Sequence, residues 1–324
     1  MMYSIIWVFL ASCLATFICT PWIIPKLERA GFVGRDMNKA DRKNIPNLGG
    51  FAIVFGFAVG VLLAIGLYTF LGTFGGHFSP PLILAAFSTI LLMSLIGVFD
   101  DLFSINQFIK TVLPLIAALP LIAVNAGATS MDIPIIGAVD FGILYALVLI
   151  PIGITGASNV TNMLAGFNGL EAGMGSVACL SLGIIALLTG KTESAVLLFS
   201  MLGALLAFLY YNWYPAKVFM GDAGTLSIGA VLASAVIIGN YEMAGVLVIL
   251  PYTFDFFIKA VNGFPSSNWW GEYVKGKLVC KGKPVGLCQT IMKKTGGISE
   301  KGLVLALISL EAVFGIIALV LFKT

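Results

Sequence analysis

Long apolar runs, each separated from the next by a short polar stretch, recur along the chain at a spacing that suits lipid rather than water. A helix needs roughly 20 apolar residues to cross about 30 Å of hydrocarbon. Runs near that length lie at 2–24, 48–71, 81–99, 108–125, 140–157, 172–190, 195–211, 224–240, 243–261 and 303–322. The pattern predicts an all-α, polytopic membrane bundle of about ten transmembrane helices, forming one domain over 1–324. The first run lacks the basic start and small-residue cleavage site of a signal peptide, so it is expected to stay as a helix. No repeat relates the two halves residue by residue.

Composition strengthens this reading. Only 10% of the 324 residues are charged and 59% are hydrophobic, against about a quarter charged in a soluble domain, which excludes soluble enzyme folds. A net charge of +3 gives no reason to expect a nucleic-acid partner. Of the 18 Lys and Arg, all but Lys191 and Lys323 fall on the alternate loops that begin at Lys26. The positive-inside rule therefore predicts an integral membrane protein with that face in the cytoplasm and both termini outside. Cytoplasmic loops are expected near 25–47, 100–107, 158–171, 212–223 and 262–302, and function with them, because the outer loops are short and nearly uncharged. A single histidine, His77, excludes histidine-cluster metal sites and argues against histidine triads. Five scattered cysteines read as reduced packing residues.

Chemistry is left to carboxylates, amides and lysines. Asp100-Asp101 ends the third run, Glu171 begins the sixth and Asp222 the eighth. Carboxylates at the edge of hydrocarbon are costly and point to function, though adjacent acids also simply mark a water boundary. The stretch from Asn159 to Glu171 holds three amides and two glycines, which suits a tight turn as well as a ligand cradle. The stretch from Asn212 to Thr225 reads either as an aromatic belt with Asp222 as a helix N-cap, or as a site. If Asp222 approaches Asp100 and Asp101, the three offer hard oxygen ligands for Mg²⁺, and phosphates would meet Lys110 and helix N-termini beside them. Neither GxxxxGK[ST] nor GxGxxG occurs. Asp255 and Glu311 fall inside the last two runs and are expected to pair within the bundle.

Three motifs in order, Phe99-Asp100-Asp101, Asn159 through Gly173 and Asn212 through Asp222, resemble those of the polyprenyl-phosphate N-acetylhexosamine-1-phosphate transferase superfamily. The similarity is strongest to the branch that makes dolichyl-diphosphate-N-acetylglucosamine, and runs from Asn38-Lys39 to Asp222 and more weakly beyond. The resemblance implies attack by dolichyl or another polyprenyl phosphate on the β-phosphorus of UDP-N-acetylglucosamine, releasing UMP, with Mg²⁺ (or Mn²⁺) required. It maps metal ligands onto Asn162 and Asp222, catalytic roles onto Asp100, Asp101 and Lys110, and uridine contacts onto Gly166, Asn168 and Phe219. Asn38, Lys39, Asp41 and Glu171 would border the nucleotide, and a homodimer is a further expectation. The histidine-rich motif of peptidoglycan-precursor transferases and the Arg-His-Arg stretch of eukaryotic dolichol enzymes are both missing from the last cytoplasmic loop. Trp269 and Trp270 stand there, expected as interfacial anchors with a share in the sugar pocket as the alternative. An undecaprenyl-phosphate transferase of an envelope pathway and, from another class, a secondary transporter are the competing readings.

Overall fold

The computed structural model describes residues 2–75, 78–103, 105–133, 136–265 and 269–322; His77, Ser266-Ser267-Asn268 and Lys323 lie outside the described residues. The first apolar run becomes α1 (Met2–Arg29), which carries its basic residues Lys26 and Arg29 in the last turn, where the helix dipole favours them. A short hairpin, β1 (Val33–Arg35) with β2 (Asn44–Pro46), precedes α2 (Gly50–Leu71) and α3 (Pro80–Phe103). There follow α4 (Gln107–Ala117), α5 (Leu119–Ala123), and a second hairpin of β3 (Ser130–Ile133) and β4 (Gly137–Asp140). A π-helical turn over Tyr145–Leu149 leads into α6 (Ile150–Met163), then α7 (Leu170–Leu188), α8 (Thr192–Asn212) and α9 (Asp222–Gly239). The chain ends with α10 (Glu242–Val248), α11 (Leu250–Ala260), a hairpin of β5 (Glu272–Val274) and β6 (Lys277–Val279), α12 (Leu287–Lys294) and α13 (Glu300–Phe322).

The all-α membrane bundle is what the apolar pattern anticipates, with four differences in its parts. Among the described residues eight helices are long and apolar enough to cross a membrane, counting the π turn with α6. The run at 243–261 is instead a pair, α10 and α11, bent by 60°. Pro251 in the first turn of α11 cannot continue the hydrogen-bond ladder of α10, which accounts for the break. The run at 108–125 is likewise split into α4 and α5, with Pro114 and Pro120 removing two donors. Asn159 to Met163, expected in a loop, belong to the end of α6, so the connection to α7 shrinks to 164–169. Three short hairpins occupy loops in which the sequence suggested no strand.

α9 is the axis of the bundle. α2, α3, α6 and α8 all pack on it, and 94% of its apolar window is enclosed. Small residues make that possible in lipid, where close backbone approach replaces the hydrophobic drive. A Cβ on Gly97 of α3 would strike the backbone of Asp222 and Ala223, one on Gly50 of α2 that of Gly224, and one on Gly229 that of Ala157 and Ser158. The cysteines are free, as anticipated. Burial pushes the Cys288 thiol up, as befits a packing residue. Glu311 departs from expectation: it is fully buried in α13, and neither carboxylate oxygen has a hydrogen-bond partner among the described residues.

Candidate active site

The close contact of α3 with the start of α9 places the paired aspartates against the N-terminus of α9. Asp101 is the true cap of that helix: its Oδ2 accepts from the backbone N–H of Asp222 at 2.8 Å and of Ala223 at 3.3 Å. These are donors that a helix start leaves unpaired, and a carboxylate there also meets the positive end of the dipole. Asp222 is therefore relieved of capping, contrary to the blander sequence reading. Gly221, at φ 72°, lets the chain pass close under Asp101, where a side chain would collide. The entry into α2 also fixes this corner, since Gly49 donates to the Phe219 carbonyl at 2.8 Å and Gly50 to that of Met220 at 2.7 Å. The start of α2 thus lies beside the start of α9.

At this junction the Lys110 ammonium forms ion pairs with both Asp100 and Asp222, the latter at 2.7 Å. The second oxygen of Asp100 accepts from the backbone N–H of Ile105 at 3.0 Å, which holds the α3–α4 turn. Asn162 completes the group from the last turn of α6. With its amide oxygen toward Lys110, it accepts from Nζ at 3.2 Å and donates to Asp222 Oδ1 at 3.1 Å and Thr225 Oγ1 at 2.9 Å. Three oxygen-bearing side chains from three helices therefore converge on one cation. Asp100, Asp101 and Asp222 outnumber Lys110, which leaves negative charge that a second cation would balance.

No three His, Cys, Asp or Glu side chains among the described residues form a metal cage by themselves. Two or three protein oxygens are still enough for Mg²⁺, which commonly takes one or two carboxylates and completes its shell with water and substrate phosphate. Asp222 and Asn162 fit that donor set, and the ammonium of Lys110 marks where positive charge is favoured.

The remaining site candidates form a second group around the turn 164–169. Asn38 donates to the Gly166 carbonyl at 2.9 Å, and Glu171 accepts from the Gly166 N–H at 2.6 Å. Lys39 pairs with Asp36 at 3.0 Å and Glu300 at 2.5 Å, and donates to Asn168 Oδ1 at 3.1 Å. Asn168 is buried, and its amide also accepts from Ala216 N–H at 2.8 Å and donates to Asp36 at 3.2 Å. Its side chain thus shapes the cradle and has little left to offer a ligand. Phe219 lies half-buried beneath Gly34 of β1, between the two groups. Asp41 stands apart: it is exposed and pairs with Lys43 at 3.3 Å.

Asp36, Asn47, Asn212 and Glu300 all hold the site together, and of these Asp36 and Glu300 escaped the sequence reading. Asn47 donates to Asp101 at 3.4 Å, and Asn212 ties the Gly169 N–H (3.1 Å) to the Val218 carbonyl (2.9 Å). Glu300, the acid that opens the last span, offered the clearer signal of the two. Trp269 packs on the turn: its ring covers Gly166, which has no side chain there, and meets Phe167 edge-on at 6.0 Å.

An apolar cavity of about 440 Å³ lies between α6, α9 and the bent α10–α11 pair. Gly153, Gly156, Ala157 and Val160 of α6 line it, ending within one turn of Asn162, while Tyr145 and Glu242 close its far end. The tyrosine hydroxyl donates there to the glutamate.

Comparison with known proteins agrees with this arrangement. Residues 83–240, which include Asp100, Lys110, Asn162 and Asp222, match the model of glycosyl transferase family 4. A protein of Saccharolobus solfataricus is 35% identical over 97% of this chain and 96% of its own length, and its assigned name is UDP-N-acetylglucosamine–dolichyl-phosphate N-acetylglucosaminephosphotransferase. The Schizosaccharomyces pombe protein of that name is 30% identical over 75% of this chain and 63% of its own. A Bacillus subtilis protein named for undecaprenyl-phosphate N-acetylglucosaminyl 1-phosphate transfer is 29% identical over 74% and 64%. The chain belongs to glycosyl transferase family 4, the superfamily of polyprenyl-phosphate N-acetylhexosamine-1-phosphate transferases.

Proposed function

We propose that this protein transfers N-acetylglucosamine 1-phosphate from UDP-N-acetylglucosamine to dolichyl or a similar polyprenyl phosphate, releasing UMP, at the cytoplasmic face of a membrane. The observation that carries this reading is the convergence of Asp100, Asp222 and Asn162 on the Lys110 ammonium, a turn away from an apolar cavity. A diphosphate needs its charge neutralised, and an isoprenoid needs an apolar channel; Lys110, with a cation that Asp222 and Asn162 would hold, serves the first, and the neighbouring cavity serves the second. The names of the archaeal and yeast relatives support the donor and acceptor.

In the reaction, an oxygen of the lipid phosphate forms a bond to the β-phosphorus while the bond from that phosphorus to the bridging oxygen breaks. UMP leaves with that oxygen. A phosphate monoester is already mostly ionised at neutral pH, since its second pKa is about 6, so no base is needed to generate the nucleophile. Positioning and charge neutralisation carry the rate. Lys110, swinging from its carboxylates to a phosphate oxygen, neutralises charge as the new bond forms. Asp100 orients Lys110, and Asp101 fixes the start of α9 so that Asp222 faces the reacting group. Mg²⁺, held by Asp222 and Asn162, would supply further neutralisation of the diphosphate. The 164–169 turn, held by Asn38, Glu171 and Glu300, borders the nucleotide.

The test is lipid extraction from purified protein given Mg²⁺, dolichyl or undecaprenyl phosphate, and in turn UDP-N-acetylglucosamine, UDP-N-acetylgalactosamine or UDP-muramoyl-pentapeptide. The expected product is lipid-diphosphate N-acetylglucosamine with an equal amount of UMP, lost in Asp222→Ala. Product from the muramoyl donor alone would move the protein to another branch. Absence of UMP with every donor would favour a transporter.

A further inference from the structure

Glu300 opens α13, remote in sequence from every motif of the site, yet it is only 3% exposed at its side chain and both carboxylate oxygens are engaged. Oε2 meets the Lys39 ammonium at 2.5 Å, and Oε1 accepts from the backbone N–H of Asn168 at 2.9 Å. Lys39 in turn holds Asp36 and the Asn168 side chain, and its ammonium lies 4.4 Å from the centre of the Tyr214 ring. One carboxylate therefore joins the first loop, the 164–169 turn and the last membrane helix.

A buried ion pair is an expensive device for stability alone, because desolvation offsets most of the attraction. What this one obtains is position. The 164–169 turn is short and contains two glycines at positive φ (Gly166 and Gly169); the buried Leu164 and Phe167 anchor it in an apolar cluster but leave the peptide groups of Gly166, Asn168 and Gly169 to be fixed by other ties. Its backbone is set by polar ties: Glu300 to Asn168 N–H, Asn212 to Gly169 N–H, and Glu171 and Asn38 to Gly166. Of these, only the Glu300 tie runs through a charged partner that also fixes the first loop.

We propose that Glu300, acting through Lys39 and the Asn168 N–H, is a positioning residue for binding of the nucleotide-sugar donor. The inference rests on the transferase reading for its substrate, but its structural half does not. The polar contacts of Glu300 go to Lys39 and Asn168 and not to the Lys110 group, so its loss is expected to weaken donor binding and leave the chemical step and the lipid acceptor untouched.

The experiment compares full-length wild type, Glu300→Gln and Glu300→Asp. Gln is nearly isosteric and keeps an acceptor for Asn168 while removing the charge that holds Lys39; Asp keeps the charge but draws it back from both partners. The expected result is a donor KM raised about tenfold in Glu300→Gln, the scale of one charged hydrogen bond, with kcat and the acceptor KM within about twofold of wild type. Hydrogen exchange without substrate is expected to quicken at the amides of 166–169 in both variants. The amides of Asp222 and Ala223, capped by Asp101, serve as the unchanged control. A fall in kcat with an unchanged donor KM, or unaltered exchange at 166–169, would overturn the proposal. If wild-type protein releases UMP from no donor, the transferase reading has failed, and the exchange measurement still decides whether Glu300 sets the turn.

Discussion

Asp101 and Asp222, which meet where α3 packs on the start of α9, differ in what their carboxylates touch, and the difference sets what each substitution should do. Asp101 spends its carboxylate on the backbone of α9. Asp101→Ala is expected to lower stability by about 1–2 kcal/mol, the usual range for losing a helix cap, seen as a lower Tm, whereas Asp101→Asn, which keeps an acceptor, loses less. Asp222 caps nothing and faces Lys110. Asp222→Ala is therefore expected to cut kcat by about 10²–10³-fold, the scale of one preorganised electrostatic group, with Tm nearly unchanged. A Tm loss as large as that of Asp101→Ala would instead make Asp222 structural. The sequence shows both acids equally, as polar residues at the ends of apolar runs. It cannot show that one of them serves a helix more than 100 residues away, because a cap supplied from another element leaves no local pattern. The same limit hid Asp36 and Glu300, whose meaning lies in Lys39 and Asn168, remote from each other in the chain. The resemblance supplied the ligand role of Asn162, for which hydropathy alone carried no signal, whereas Lys110 was already visible as a basic residue close after the paired aspartates.

Among the elements, the long helices were legible because length and apolar content are local properties, while the breaks depended on proline placement within otherwise continuous runs. Pro251 and Pro114 sit in stretches apolar enough to pass for uninterrupted spans. The bend at Pro251 has a purpose in space: it turns α11 away from α10 and leaves room for the cavity against α6 and α9. Gly156 of α6 lines that cavity, and a Cβ there would meet nothing within 4 Å. Gly156→Leu should accordingly fold, gain a little helix propensity, and put a branched side chain where the acceptor's isoprenoid is proposed to lie. The expected outcome is an acceptor KM raised several-fold with the donor KM unchanged. An unaltered acceptor KM at normal kcat would remove the cavity from the acceptor's path. Gly97→Val, by contrast, should prevent folding, because the space beside Gly97 is filled by the backbone of Asp222 and Ala223.

Taken as a whole, the molecule is polarised, and that polarity makes the proposed cytoplasmic placement of the chemistry testable. The Lys110 group, the 164–169 turn, the first hairpin and the long segment from Glu272 to Lys301 gather at one end of the bundle, with exposed Lys275, Lys277, Lys281, Lys283, Lys293 and Lys294 around them. The β3–β4 hairpin lies in the alternate, nearly uncharged set of loops, with Asp132 exposed. A UDP-sugar is a cytoplasmic metabolite in chemical terms, charged and unable to cross lipid, so a donor site is useful only on the side where it is made. Charge bias during insertion and donor supply thus point to the same face. The test is thiol labelling in a Cys280→Ser background, where single cysteines replace exposed residues at each end. Lys43→Cys and Lys281→Cys are expected to react with a membrane-impermeant reagent only in inside-out vesicles, and Asp132→Cys only in right-side-out ones. UDP-N-acetylglucosamine should, in addition, slow labelling at an exposed residue of the donor face and leave Asp132→Cys unaffected. The opposite sidedness would separate the donor site from its donor and defeat the transferase reading, however well the side chains of the site converge.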